Sequence, residues 1–426
     1  MHRKTPLLLV GTLGAAVCSS AVFAKPTDQA LFDELCRTIR DNYVFPEIGE
    51  KLAAHIAERA DSGVYEGLSR QDLAAALTRD LQAFTNDRHF SAGALPEGWT
   101  PPQESEAEIE EPFDPRVFSP FGVQKVERLA GNIGYLDLRG FHPAEYANDS
   151  IISAVRLLQG SSTIILDLRR NGGGDPATVQ TLCSYFFDPA EPVHLNSLYF
   201  RPTDETREFW TQPEYPDLAM PETPIFVLTS SDTFSGGEEC AYNLQTRKRA
   251  TLVGETTGGG AHPVNGFPVA DTIMLRVPVG RAINPVTGTN WEGTGVVPEV
   301  AVPADDALDT ALEMALERLA ASGNPAAEWG LYQHAMQKGG IKVSADMLGA
   351  YVGDFTDREI GLEDGSLQYR RKGAPVWRAL IPVGDGVFMI DGVEDFRLEF
   401  ERAGGAIVAV RGVYQQRDSD RSIKVE

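Results

Sequence analysis

Between residues 28 and 88 apolar side chains recur three and four positions apart, as in Leu31, Leu35, Ile39 and then Leu73, Leu77, Leu81. That period puts them on one face of amphipathic helices and predicts a small helical domain over residues 25–93, its helical pattern stopping at His89. The interval 94–118 breaks the pattern with Pro96, Pro101, Pro102, Pro112 and Pro115 among acids, a linker or surface loop. From 132 to 303 short apolar runs (Ile133 to Leu138, Ile164 to Leu168, Ile225 to Thr229, Thr251 to Val253, Ile273 to Val277) alternate with helical stretches. Strands alternating with helices imply a layered α/β domain, assigned to residues 94–321 and closed by a helix from Ala307 to Ala321. Ser322-Gly-Asn-Pro325 opens a linker over 322–346. The last segment, 347–426, reads as antiparallel β, with runs such as Ser366-Leu-Gln-Tyr-Arg370 and Phe396-Arg-Leu-Glu-Phe400 between turn signals.

Composition narrows the classes of function. The 426 residues suffice for two or three domains, and a net charge of -23 argues against nucleic acid and anionic membrane surfaces as partners. Met1-His-Arg-Lys4, the apolar run Leu7 to Val17 and small residues before Lys25 read as a secretory signal peptide over 1–24, cleaved after Ala24. The apolar run is too short to span a bilayer, so a periplasmic or secreted mature protein is expected. Cleavage leaves Cys36, Cys183 and Cys240, too few for a disulfide scaffold. Neither Cys-x-x-Cys nor His-Glu-x-x-His spacing occurs, so no metal and no cofactor are expected.

The chemistry gathers around Ser235. In Val227-Leu-Thr-Ser-Ser-Asp-Thr-Phe-Ser-Gly-Gly-Glu-Glu239 an apolar strand run breaks into small polar residues and then into a helix-forming segment. A serine at such a junction is either an ordinary helix N-cap or a nucleophile, with the amide of Gly236 and the positive helix end aimed where a carbonyl oxygen gains charge. The segment lacks the Gly-x-Ser-x-Gly elbow of α/β-hydrolase esterases.

Three blocks decide between these readings: Ile164-Ile-Leu-Asp-Leu-Arg-Arg-Asn-Gly-Gly-Gly174, the serine segment, and Arg249-Ala-Thr-Leu-Val-Gly-Glu255. In order and spacing the chain resembles, over roughly residues 30 to 305, the C-terminal processing (tail-specific) serine peptidases. That family includes the tricorn protease core and the interphotoreceptor retinoid-binding protein modules. The resemblance implies a ClpP/crotonase-like catalytic domain, here with an N-terminal helical domain and a small C-terminal β-barrel-like domain. No segment resembling the PDZ insert fits, which places the chain near the retinoid-binding-protein-like branch.

One departure concerns the base. Tail-specific members carry a lysine in a Gly-Lys-Gly turn, and that register here falls on Gly258-Gly-Gly260. The tricorn-like branch uses histidine oriented by glutamate. His89, in Thr85-Asn-Asp-Arg-His89, and Glu292, in Asn290-Trp-Glu-Gly293, stand in the matching places. An imidazole titrating near neutrality can take the serine proton and return it to the leaving amine, and a carboxylate behind it fixes its tautomer. The expected triad is Ser235, His89 and Glu292, assembled where the helical and α/β domains meet. His262, in Gly260-Ala-His-Pro263, is the competing base and otherwise lines the substrate cleft. Gly236 and either Gly173 or Gly174 supply the oxyanion amides. The expected function is a secreted serine endopeptidase acting on a peptide or protein substrate. The alternatives are a binding module for apolar ligands or peptide tails, and a crotonase-like acyl-CoA enzyme.

Overall fold

The computed structural model describes residues 29–100 and 121–425; the leader segment and most of the proline-rich interval lie outside them. The described residues open with three helices, α1 (Gln29–Asn42), α2 (Pro46–Asp61) and α3 (Arg70–Thr85), followed by a short strand β1 (Ser91–Ala94). Leu31, Leu35 and Ile39 of α1 and Leu77 and Leu81 of α3 are buried, as their helical spacing requires.

A second compact unit starts from β2 (Val123–Leu129) and β3 (Ile133–Leu138). It continues through α4 (Ala144–Leu158), β4 (Thr163–Asp167), α5 (Pro176–Ser184), β5 (His194–Phe200), β6 (Glu205–Trp210), β7 (Ile225–Thr229), α6 (Gly236–Thr246) and β8 (Thr251–Gly254). Two strands, β9 (Val264–Val269) and β10 (Ile273–Pro278), then pair in the order β1-β10-β9, with Ser91 opposite Arg276. Residues 266–277 therefore belong to the helical unit, and the segment Asn86–His89 belongs to the α/β unit. This redraws the boundary expected at residue 93. His89 is part of the unit that carries Ser235, so the site lies within one unit.

The chain returns to the α/β unit with β11 (Gly280–Ile283), β12 (Val300–Ala301) and α7 (Ala307–Ala321). Six strands form the main sheet in the order β12-β8-β7-β4-β3-β2, parallel except for β2. Strands β3, β4 and β7 are buried at every position, because helices cover both faces. Leu136, Leu166 and Val227 face α4, α5 and α6, whereas Tyr135, Ile165 and Phe226 face α7. Alternation along each strand produces the two layers. A smaller antiparallel sheet, β11-β5-β6, flanks them.

The stretch 322–346 holds more than a linker. Helix α8 (Pro325–Gln337) brings Gly330 so close to the turn at Gly131 that an added Cβ would lie 2.9 Å from the Gly131 nitrogen and 2.4 Å from Leu316 Cδ2 of α7. Its Trp329 and Met336 pack with Val383 and Met389 of the C-terminal sheet. After the short α9 (Ala345–Gly349), eight strands follow: β13 (Gly353–Asp354), β14 (Arg358–Glu363), β15 (Ser366–Arg371), β16 (Arg378–Gly384), β17 (Val387–Ile390), β18 (Val393–Ala403), β19 (Ala406–Tyr414) and β20 (Asp420–Ile423). They pair antiparallel in chain order, a meander around Tyr351, Phe355, Phe388, Leu398 and Phe400. No described helix is long and apolar enough to cross a membrane.

Candidate active site

Ser235 sits where β7 gives way to α6, with φ 51° and ψ -120°. A non-glycine residue in such a sparsely populated region costs on the order of 1–3 kcal/mol and persists only when its surroundings hold it. The hold is Glu238. Its carboxylate accepts from the Ser235 amide (2.9 Å), the Thr257 hydroxyl (2.5 Å) and the amides of Gly259 (2.6 Å) and Gly260 (2.8 Å). Glu238 is fully buried, and burial raises its pKa against the pull of those four donors. The strained serine is thereby tied to the glycine turn at residues 258–260. The Ser-x-x-Glu spacing, a capping-box pattern, carried this signal in the sequence.

The glycine turn after β4 comes up beside Ser235. A Cβ on Gly173 would lie 2.7 Å from the Gly236 nitrogen, and one on Gly174 only 1.8 Å from the Phe141 carbonyl. Both residues have positive φ, 98° and 136°. The Gly173 amide donates to Asn171 Oδ1 at 2.9 Å, so Gly174 and Gly236 are the amides left to face the cavity. That cavity, about 330 Å³, is lined by Ser235, His89, His262, Gly174 and Gly236 together with Glu239 and apolar residues.

The histidines have different surroundings. The His89 ring lies over Phe234, centroids 4.6 Å apart, and its buried Nδ1 has no hydrogen-bond partner. Asp87 Oδ1 is 3.9 Å from that nitrogen and accepts the His89 backbone amide at 3.0 Å. Burial lowers the His89 pKa to about 4, with Asp87 opposing and His262 and Arg88 reinforcing the drop. The imidazole is neutral at pH 7.

His262 is the more tightly held. Its Nδ1 is 2.6 Å from Asp87 Oδ2 and 3.4 Å from Glu292 Oε2, which also accepts the Ala261 amide at 2.6 Å. Burial and the neighbouring Asp87 charge push the Glu292 pKa well up, with His262 opposing. Glu292 thus meets His262, and the carboxylate nearest His89 is Asp87, which sequence reasoning overlooked although it stands two residues before His89. Asp87, His262 and Glu292 are the one group among the described residues whose donor atoms cluster as a metal site would require. The 2.6 Å contact is that of a hydrogen-bonded pair, shorter than the roughly 3.3 Å between two donors about 2 Å from a tetrahedral ion.

This arrangement has the parts of an acyl-transfer site: a hydroxyl on a strained turn, a neutral imidazole, a buried carboxylate and two convergent amides. Comparison with known proteins agrees. Residues 132–302 match the model of peptidase family S41, and residues 25–120 match the model of its N-terminal domain in eukaryotic IRBP. A carboxy-terminal-processing protease of Bartonella bacilliformis is 27% identical over 181 residues, 41% of this chain and 40% of that protein. Carboxyl-terminal-processing peptidase 2 of Arabidopsis thaliana chloroplasts is 28% identical over 173 residues, 40% of this chain and 32% of that protein. The chain therefore spans well under half the length of these curated relatives. A crystal structure of a candidate peptidase from Parabacteroides merdae superposes with a TM-score of 0.50 at 18% identity, covering 67% of this chain and 96% of that one, a likeness of fold. With both family models matched in chain order around these blocks, the chain belongs to peptidase family S41 and carries an N-terminal domain of the kind found in eukaryotic IRBP.

Proposed function

We propose that this protein is a serine peptidase that cleaves peptide bonds through an acyl-enzyme, with Ser235 as nucleophile and His89 as base. The observation that carries the reading is the convergence of strained Ser235, two histidines and the amides of Gly174 and Gly236 on one cavity. His89 takes the serine proton as the hydroxyl attacks, and the Gly174 and Gly236 amides, aided by the N-terminus of α6, meet the developing oxyanion. Asp87 faces His89 Nδ1 and stabilises the imidazolium formed at that moment. Glu292 acts one step removed, through its contact with His262 and the bond of His262 to Asp87.

A second reading makes His262 the base, favoured by the 2.6 Å contact of its Nδ1 with Asp87. Labelling with a fluorophosphonate and mapping the adduct tests both. Ser235→Ala should abolish labelling without changing the fold, and equal labelling of variant and wild type refutes the nucleophile. His89→Ala should lose orders of magnitude in turnover. If His262→Ala is dead while His89→Ala retains most of its activity, the second reading holds.

A further inference from the structure

Four residues after Ser235, on the first turn of α6, Glu239 lines the same cavity yet is only 4% exposed. Two amides stand beside its carboxyl, Asn196 from β5 and Asn243 one turn further along α6. Asn196 is 0% exposed and Asn243 1%, and none of their amide nitrogens or oxygens completes a well-formed hydrogen bond. Leaving a buried polar group unsatisfied costs about 1–3 kcal/mol. The two amides stand behind Glu239, whose carboxyl is the buried acidic group on the cavity wall and the place where an incoming ligand finishes the hydrogen bonding. The rest of the wall is apolar: Pro176, Leu198, Ala282 and Trp291.

We infer that this cavity takes the substrate side chain preceding the scissile bond, and that Glu239, backed by Asn196 and Asn243, makes it select lysine or arginine. The inference rests on Ser235 being the nucleophile. A long basic side chain lays its aliphatic stem along Leu198, Ala282 and Trp291 and carries its charged head to the Glu239 carboxylate. A leucine would leave the Glu239 carboxylate without a partner in the cavity, and a glutamate would bring a second carboxylate against it. Burial, with Asp175 at the start of α5 adding to it, raises the Glu239 pKa to about 7 against the pull of the two amides, and no cation among the described residues contributes. A bound lysine supplies the missing positive charge and favours the ionised carboxylate.

The test uses the full chain and fluorogenic peptides differing only in the residue before the cleaved bond. At pH 8, kcat/KM for lysine and arginine should exceed that for leucine by at least tenfold, with glutamate poorest. The lysine-to-leucine ratio should shrink as pH falls through about 7 and Glu239 protonates; taking a ratio cancels pH effects on the chemical step that both substrates share. Glu239→Gln should cut the ratio at least tenfold, and if that variant does not fold, the wild-type pH dependence of the ratio decides. A separate arm titrates Ser235→Ala with benzamidine and its neutral isostere benzamide by calorimetry, expecting at least tenfold tighter binding of the amidine. Equal use of lysine and leucine, or a ratio indifferent to pH and to Glu239→Gln, overturns the inference. Should no peptide be cleaved, selective benzamidine binding would uphold the pocket while the peptidase reading falls, and equal binding of the two compounds would overturn it.

Discussion

Asp87→Asn is the sharpest probe of how the site works, because it keeps the shape and removes one charge. Asp87 is 1% exposed and its Oδ1 lies 3.9 Å from His89 Nδ1. With an effective dielectric constant near 20, that separation is worth about 4 kcal/mol to an imidazolium, or roughly three decades of rate. The ground state gains little, since His89 is neutral at pH 7, so the loss should fall on kcat with KM nearly unchanged. The sign of the pH effect is fixed as well. Base catalysis needs neutral His89, so activity is present above its pKa of about 4 and is lost on acidification through it. Asp87 raises that pKa against burial, so its removal should move the acid limb lower still. The assay is steady-state cleavage of a fluorogenic peptide from pH 3 to 9, with circular dichroism melting as the check on folding. A drop in kcat of less than tenfold in a folded variant, with the acid limb unmoved, would refute the reasoning.

Two further outcomes follow from packing. Gly174→Ala places a Cβ 1.8 Å from the Phe141 carbonyl at a φ of 136°, so the turn must shift; labelling of Ser235 should fall at least a hundredfold, and normal labelling would remove Gly174 from the oxyanion site. Ending the chain after Ser322 removes α8 and uncovers Leu316 and the turn at Gly131, so the truncated protein should lose about 2 kcal/mol or more and melt several degrees lower, read by calorimetry. An unchanged melting temperature would show that α8 is dispensable to the catalytic core.

Much of this protein is legible from local chemistry. Helical periodicity places α1 and α3, continuous apolar runs place β3, β4 and β7, and the run from Ala307 to Ala321 is α7 at both ends. These elements follow from burial patterns a few residues long, which the sequence carries directly. The nucleophile segment and the glycine turn are equally visible, because strand-to-helix junctions and positive-φ glycines leave marks in composition. What the sequence leaves open is which side chains meet across long separations. Asp87 and His262 touch although 175 positions apart, and Glu292 turns to His262 where the sequence reading expected it behind His89. Glu239, Asn196 and Asn243 meet because β5 and α6 flank one cavity, a juxtaposition no periodicity encodes. Residues 322–346 read as a connection because α8 carries no apolar stripe at helical spacing, yet its glycine fits a turn some two hundred residues earlier. Local pattern fixes each element and the face it buries; the folded sheet order alone decides which polar groups share a buried space, and with it their charges.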